Sequence, residues 1–212
     1  HGVWPVLENL KQTIASMEAQ MKYQYNLDYN PREIVGDNYN DSREFGYGNN
    51  NVAGPDASHG SHVSGIIAAT RGNGIGLDGV ADNVKIMAIR VVPDGDERDK
   101  DVANGIRYAV DNGAKVINGS FGKSFSPHAD WVRDAIAYAA ENDVLIVAAA
   151  GNDGQNTDQV NYFPNDQINN GAEISNTFLK VGSNGPKYGS TLVAGYSNYG
   201  KNTVDVFAPG SQ

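Results

Sequence analysis

The chain has 212 residues, 40% hydrophobic and 19% charged, a length and balance suited to one soluble domain with a sizeable core. A formal net charge of −9 argues against a nucleic-acid partner, which needs clustered Lys and Arg. Cysteine is absent, so disulfides, thiolate metal sites and cysteine nucleophiles are excluded, and any nucleophile is a hydroxyl or a metal-bound water.

No apolar run approaches the roughly 20 residues of a membrane-spanning helix, and His1 opens into a Trp-Pro segment rather than a signal peptide. Leu7, Leu10, Ile14, Met17 and Met21 then recur three and four apart, one apolar helix stripe. It covers only about two heptads, so a helix packed on its own domain is expected ahead of a partner-binding one. The stretch 26–51, rich in Asn, Asp, Gly and Tyr, reads as loop with a short strand at 33–35.

From His59 onward helical and strand patterns alternate. Val63, Ile66, Ile67 and Thr70 form a helix stripe with Gly72 as its C-terminal glycine. The apolar run 84–92 has strand length. Asp99 predicts an N-cap for a helix with Val102, Ile106 and Val110 on one face and Gly113 as its stop. A strand is expected next, at 115–120. Ser126-Pro127 gives cap and first turn of another helix, faced by Val132, Ala135, Ile136 and Ala139. The nearly all-apolar run 144–150 is expected of a parallel strand buried on both sides. Further strands are expected at 178–182, 191–194 and 204–207. This alternation predicts an α/β fold, three-layered, with a mainly parallel central sheet.

Three segments carry candidate chemistry. In His59-Gly60-Ser61-His62-Val63-Ser64-Gly65, a histidine opens an apolar helix, where the positive dipole end disfavours imidazolium and keeps the ring ready to accept a proton. A lone histidine at such a place is more often structural or solvated. In Ala150-Gly151-Asn152-Asp153-Gly154, a buried strand ends in glycine and offers a carboxamide at its carboxyl end, where open α/β sheets place their sites. That amide suits an oxyanion donor, although Gly-Asn-Asp-Gly is also good turn chemistry. In Asn118-Gly119-Ser120-Phe121-Gly122, small residues at a strand end suit pairing with an extended peptide, or an ordinary strand-to-loop transition.

Together and in this order, the segments resemble the subtilase family of serine endopeptidases. Residues 59–65 match its His-Gly-Thr-His-Val-Ala-Gly block with Ser61 for Thr and Ser64 for Ala; Asn118, Ser120 and Gly122 match Asn-x-Ser-x-Gly; Asn152 matches Ala-Gly-Asn; and Ala208-Pro209-Gly210 matches the Ala-Pro-Gly strand end. The resemblance implies a subtilisin-like core over 31–212, with 1–30 as a helical insertion. It implies His59 as general base with His62 supporting, Asn152 as oxyanion donor, and Ser120, Phe121 and Gly122 as the strand that aligns a peptide or protein substrate. A structural calcium ion is implied at Asn73 and the carbonyls of Ile75 and Leu77. The acidic run 94–101 reads as a solvated loop and helix start; the resemblance sets it beside the substrate cleft, favouring basic residues in the substrate. His1 and His128 are expected at the surface. Gly74-Ile75-Gly76-Leu77-Asp78-Gly79 spells a dinucleotide fingerprint but comes after a helix and precedes a strand, the reverse of what such a site needs.

Two family blocks are not found in these residues. Neither Gly-Thr-Ser-Met-Ala nor Asp-Ser/Thr-Gly occurs; Ser211 sits in the wrong context, and Asp37 is succeeded by Asn38-Tyr39. With only the histidine of an Asp-His-Ser triad, the 212 residues alone are expected to be inactive and the intact parent to be an endopeptidase. The alternative is an inactive subtilase-like domain that binds peptides or a partner. The resemblance also implies an extracellular or cell-envelope location, and flanking segments of its own precursor as partners.

Overall fold

The computed structural model describes residues 3–26, 28–93, 95–169 and 171–211. Helix α1 (Val3–Ala19) runs into one π-helical turn (Gln20–Gln24). The segment at 33–35 is helical, not extended: α2 (Arg32–Val35) starts after Pro31 and closes on Gly36 at φ 76°. Proline before the first turn and a left-handed glycine after the last favour helix strongly enough to override the β-branched pair Ile34-Val35. The chain continues through α3 (Ser58–Ala68), α4 (Asp99–Asp111), β1 (Val116–Gly119), α5 (Ala129–Glu141), β2 (Leu145–Ala149), β3 (Phe178–Asn184) and β4 (Val206–Pro209).

The four strands form one fully parallel sheet in the order β1-β2-β3-β4. Val116 faces Leu145, Ile146 faces Phe178, and Val181 faces Val206. The α/β class and parallel sheet are as predicted. The core lies between this sheet and the predicted stripes of α4 and α5: Val102, Ile106 and Val110, then Val132, Ala135, Ile136 and Ala139, against Ile146, Ala148 and Phe178. Each fully buried Val or Ile there contributes about 1.5–3 kcal/mol. Strand β2 alternates buried with half-buried residues instead of being buried on both sides, because both helices pack against the face that carries Ile146 and Ala148.

Several expectations are corrected. The run 84–92 pairs with no described strand; Val84, Ile86 and Met87 stay exposed, while Ile89 and Val91 lie against Gly105 of α4. An apolar run without a ladder partner satisfies its backbone elsewhere. A 3-10 turn (Gly189–Thr191) takes up the start of 191–194, leaving Val193 a single bridge to Asn184. The last strand sits two residues later than predicted. Helix α3 ends at Ala68, and Gly72, at φ 68°, turns the loop beyond it. The α1 stripe does not pack on the domain: Leu10, Ile14 and Met17 are exposed, and Met21 is 70% exposed.

Asp99 does not cap its own helix. Arg98 holds the N-cap position, and the buried Asp99 carboxylate accepts from Ser126 Oγ at 2.7 Å, His128 N at 2.9 Å and Lys123 Nζ at 3.1 Å. The acidic run is therefore not solvated where α4 begins; its first residue, Asp94, is outside the described residues. Ser126-Pro127 likewise precede α5, which starts at Ala129.

An ionic network fastens the stretch around α2 to α4. Lys100 Nζ, wholly buried, donates to Asp37 Oδ2, Glu44 Oε2 and the Asn38 carbonyl, each at 2.6 Å. Arg32 bridges Asp37 and Asp101, and the Tyr47 hydroxyl donates to Asp101 Oδ1 at 2.9 Å. Burial alone would push the Asp37 carboxyl up, but Lys100 and Arg32 outweigh it and hold it below the usual range.

Candidate active site

Strands β1 and β2 are adjacent and parallel, with Gly119 opposite Ala148, so the segments leaving them emerge side by side at the carboxyl edge of the sheet. From β1 come Ser120, Phe121 and Gly122; Asn118 Nδ2 donates to Ser120 Oγ at 2.9 Å. Lys123 then pairs with Phe163 in both directions, at 2.9 and 2.8 Å. From β2 come Gly151, buried at φ 106°, and the exposed Asn152.

One aromatic ring joins the two exits. A Cβ at Gly122 would stand 2.6 Å from Tyr162 Cε1, and one at Gly151 would stand 2.5 Å from Tyr162 Cζ. At both positions the ring edge fills space a side chain would need, and at Gly151 the Asn198 amide and the φ of 106° exclude one as well. Phe121 is half-buried and packs against the core.

The Asn152 turn is wrapped around a side chain from far downstream. Asn198 is fully buried; its Oδ1 accepts from Asp153 N at 3.0 Å and Gln155 N at 2.9 Å, while its Nδ2 donates to the Ala150 carbonyl at 2.9 Å. Its backbone N–H donates to the Gly151 carbonyl at 2.9 Å. Sequence reasoning missed Asn198 and Tyr162, and no spacing near either one marks it.

Behind Tyr162 lies a polar cavity lined by Asp166, Glu173, Lys180 and Asp205 among others. Lys180 of β3 donates through Nζ to the Tyr162 carbonyl at 3.0 Å. Burial pulls the Lys180 ammonium down to about 8 against the pull of Asp166 and Asp205. Burial, with Glu173 close by, pushes the Asp166 carboxyl up to about 6.

His59 is the second residue of α3, in the first turn as predicted, and is exposed. Helix α3 is tied to the loop after it, with Val80 N donating to Ile66 O at 3.0 Å and Ala81 N to Ile67 O at 2.8 Å. Ser120, Phe121, Gly122 and Asn152 are thus brought to one sheet edge. Among the described residues, no hydrogen bond or ring contact links His59 or His62 to them. Asp37 is committed to Arg32 and Lys100 and does not orient His59. His128 is half-buried rather than at the surface, stacked on Trp131 at 3.8 Å with Tyr39 edge-on; His1 is outside the described residues.

The Asn73 loop fits calcium only in part. Asn73 Oδ1 already accepts from Ile75 N at 2.9 Å, and Asp78 Oδ1 accepts from Gly72 N at 3.0 Å. With the carbonyls of Ile75 and Leu77 the loop offers one carboxylate and a few neutral oxygens, fewer than the roughly six to eight a calcium ion takes. No cluster of three or more His, Cys, Asp or Glu side chains suited to a metal occurs among the described residues.

The profile described as "Subtilase family" matches residues 13–212. The "Cell wall-associated protease" of Bacillus subtilis (strain 168) is 39% identical over 165 residues, 77% of this chain and 16% of that protein. The "Thermophilic serine proteinase" of Bacillus sp. (strain AK1) is 38% identical over 154 residues, 72% of this chain and 34% of that protein. Among solved structures, a protease from Pseudoalteromonas arctica PAMC 21717 superposes with a TM-score of 0.60 at 34% identity, covering 83% of this chain and 49% of that one. The chain thus spans less than half the length of these relatives.

Proposed function

The chain belongs to the subtilase family, and on that premise we propose that the protein containing it is a serine endopeptidase. His59 acts as general base toward a serine nucleophile, taking its proton as the hydroxyl attacks a peptide carbonyl. Asn152 donates its amide N–H to the oxygen as negative charge develops there, and the backbone of Ser120, Phe121 and Gly122 pairs with the extended substrate. The supporting observation is the convergence of the Ser120–Gly122 segment and the Asn152 turn on one ring edge, that of Tyr162, at the carboxyl ends of neighbouring parallel strands.

The test is cleavage of a generic peptide by the full-length protein. His59→Ala is expected to lower kcat by about 10⁴-fold or more. Asn152→Ala is expected to lower kcat by about 10²–10³-fold with little change in KM. Undiminished cleavage by purified His59→Ala protein overturns the reading. The 212 residues alone, holding one triad member, are expected to cleave nothing.

A second reading, an inactive subtilase-like domain that binds peptides or a partner, draws on Asp37, which follows the apolar pair Ile34-Val35 but is engaged by Arg32 and Lys100 rather than by His59. Reading the encoded sequence on both flanks separates the two. We place the protein outside the cell or in the cell envelope; no helix among the described residues is long and apolar enough to cross a membrane. Residues 1–30 serve as an insertion before the core at 31–212, and segments of the same precursor complete the site. The Asn73 loop, with Asn73, Ile75 and Leu77, supplies part of a calcium shell, and a rise in unfolding temperature on adding Ca²⁺ tests it.

A further inference from the structure

Lys180 occupies a position where the sheet pattern calls for an apolar side chain. It is 4% exposed, on the same face of β3 as the buried Phe178 and Gly182. A buried ammonium persists only where something holds it. Its Nζ donates to the Tyr162 carbonyl at 3.0 Å, and its backbone N–H to Asp205 Oδ2 at 2.6 Å. Asp166, 7% exposed, faces the same cavity with an Oδ2 that has no hydrogen-bond partner among the described residues, and Glu173 lines the wall. On its far side the residue that Lys180 holds presses its ring against both Gly122 and Gly151.

We infer that Lys180 is a positioning residue: by holding the Tyr162 carbonyl from within the cavity, it seats the Tyr162 ring and so sets the spacing between the Ser120–Gly122 segment and the Asn152 turn. The geometric part stands on contacts alone; its catalytic consequence rests on the peptidase reading. Lys180 touches no substrate in this scheme. Its effect passes through one carbonyl and one ring, so it acts on alignment, and misalignment lowers kcat rather than raising KM.

The test compares full-length wild type with Lys180→Met, which keeps length and apolar bulk and deletes the donor. Hydrogen exchange read by mass spectrometry is expected to speed up about tenfold or more in peptides spanning 119–123 and 151–154, with amides of α4 and α5 unchanged. Peptide cleavage is expected to lose about tenfold in kcat with KM within about twofold, and Lys180→Arg to recover part of that loss. Tyr162→Ala, which removes the wedge, loosens the same two segments. Unchanged exchange in both segments of a folded Lys180→Met protein overturns the inference, and so does faster exchange spread over the whole sheet. Should Lys180→Met not fold, Lys180→Leu serves as a second variant without a donor, read by the same exchange in both segments. Unchanged exchange in both segments of that protein overturns the inference. If both segments respond as expected while wild type cleaves no peptide, the peptidase reading fails and the positioning role stands.

Discussion

Gly122 shows how little room the candidate site leaves at the level of single residues. A methyl there meets the Tyr162 ring on one side and, at 2.8 Å, the Phe163 carbonyl on the other, and the carbonyl is tied into the Lys123 bridge. Gly122→Ala is therefore expected to cost about 1–3 kcal/mol, read as a lower urea midpoint at unchanged m-value. Asp166 gives a pH signature. Its folded value, about 6, lies above the ordinary 3.8, so the folded state holds the proton more tightly than the unfolded chain. The resulting stability is fully present below the ordinary value and is lost as pH rises through about 6. Thermal melts between these pH values should show wild type losing stability, and Asp166→Asn should flatten that limb. His59 and Asn152 stand out in the sequence because their neighbours spell recognisable blocks, His59-Gly60-Ser61-His62 and Ala150-Gly151-Asn152. Tyr162 and Lys180 meet Gly122, Gly151 and each other across the fold, and nothing local announces those contacts.

Among the elements, those with a strong period and a clear stop were legible: α4, α5, β1, β2 and β3 lie within a few residues of where their stripes and apolar runs put them. The misread stretches are those where tertiary partners decide. Residues 84–92 have the composition of a strand but no described ladder. The run after Gly95 looks solvated by composition, yet buries Asp99 and Lys100 because both have partners from elsewhere. The Lys100 network carries its own prediction. Among the described residues, Asp37→Asn leaves the buried Lys100 with Glu44 as its one counter-ion, and Lys100→Met leaves Asp37 with Arg32 alone, each a loss of up to about 3–5 kcal/mol. The double replacement is expected to cost less than the two losses added, since neither charge is then stranded. Urea unfolding of the four proteins measures both.

At the scale of the molecule, the sheet with α4 and α5 forms the cohesive body, and α1 stands apart from it. Its apolar stripe reads from sequence as core-facing because periodicity shows that a face exists and not what covers it. Deleting residues 3–19 is expected to change the stability of the sheet body by less than about 0.5 kcal/mol, a negligible shift in melting temperature. The Asn152 turn depends instead on a partner 45 residues beyond Asp153. During synthesis the strand and its tip are made before the residue that templates the turn. Until it arrives, the turn that carries Asn152 lacks the side chain it is wrapped around, so its shape is completed only when the distant Asn198 segment folds back onto it.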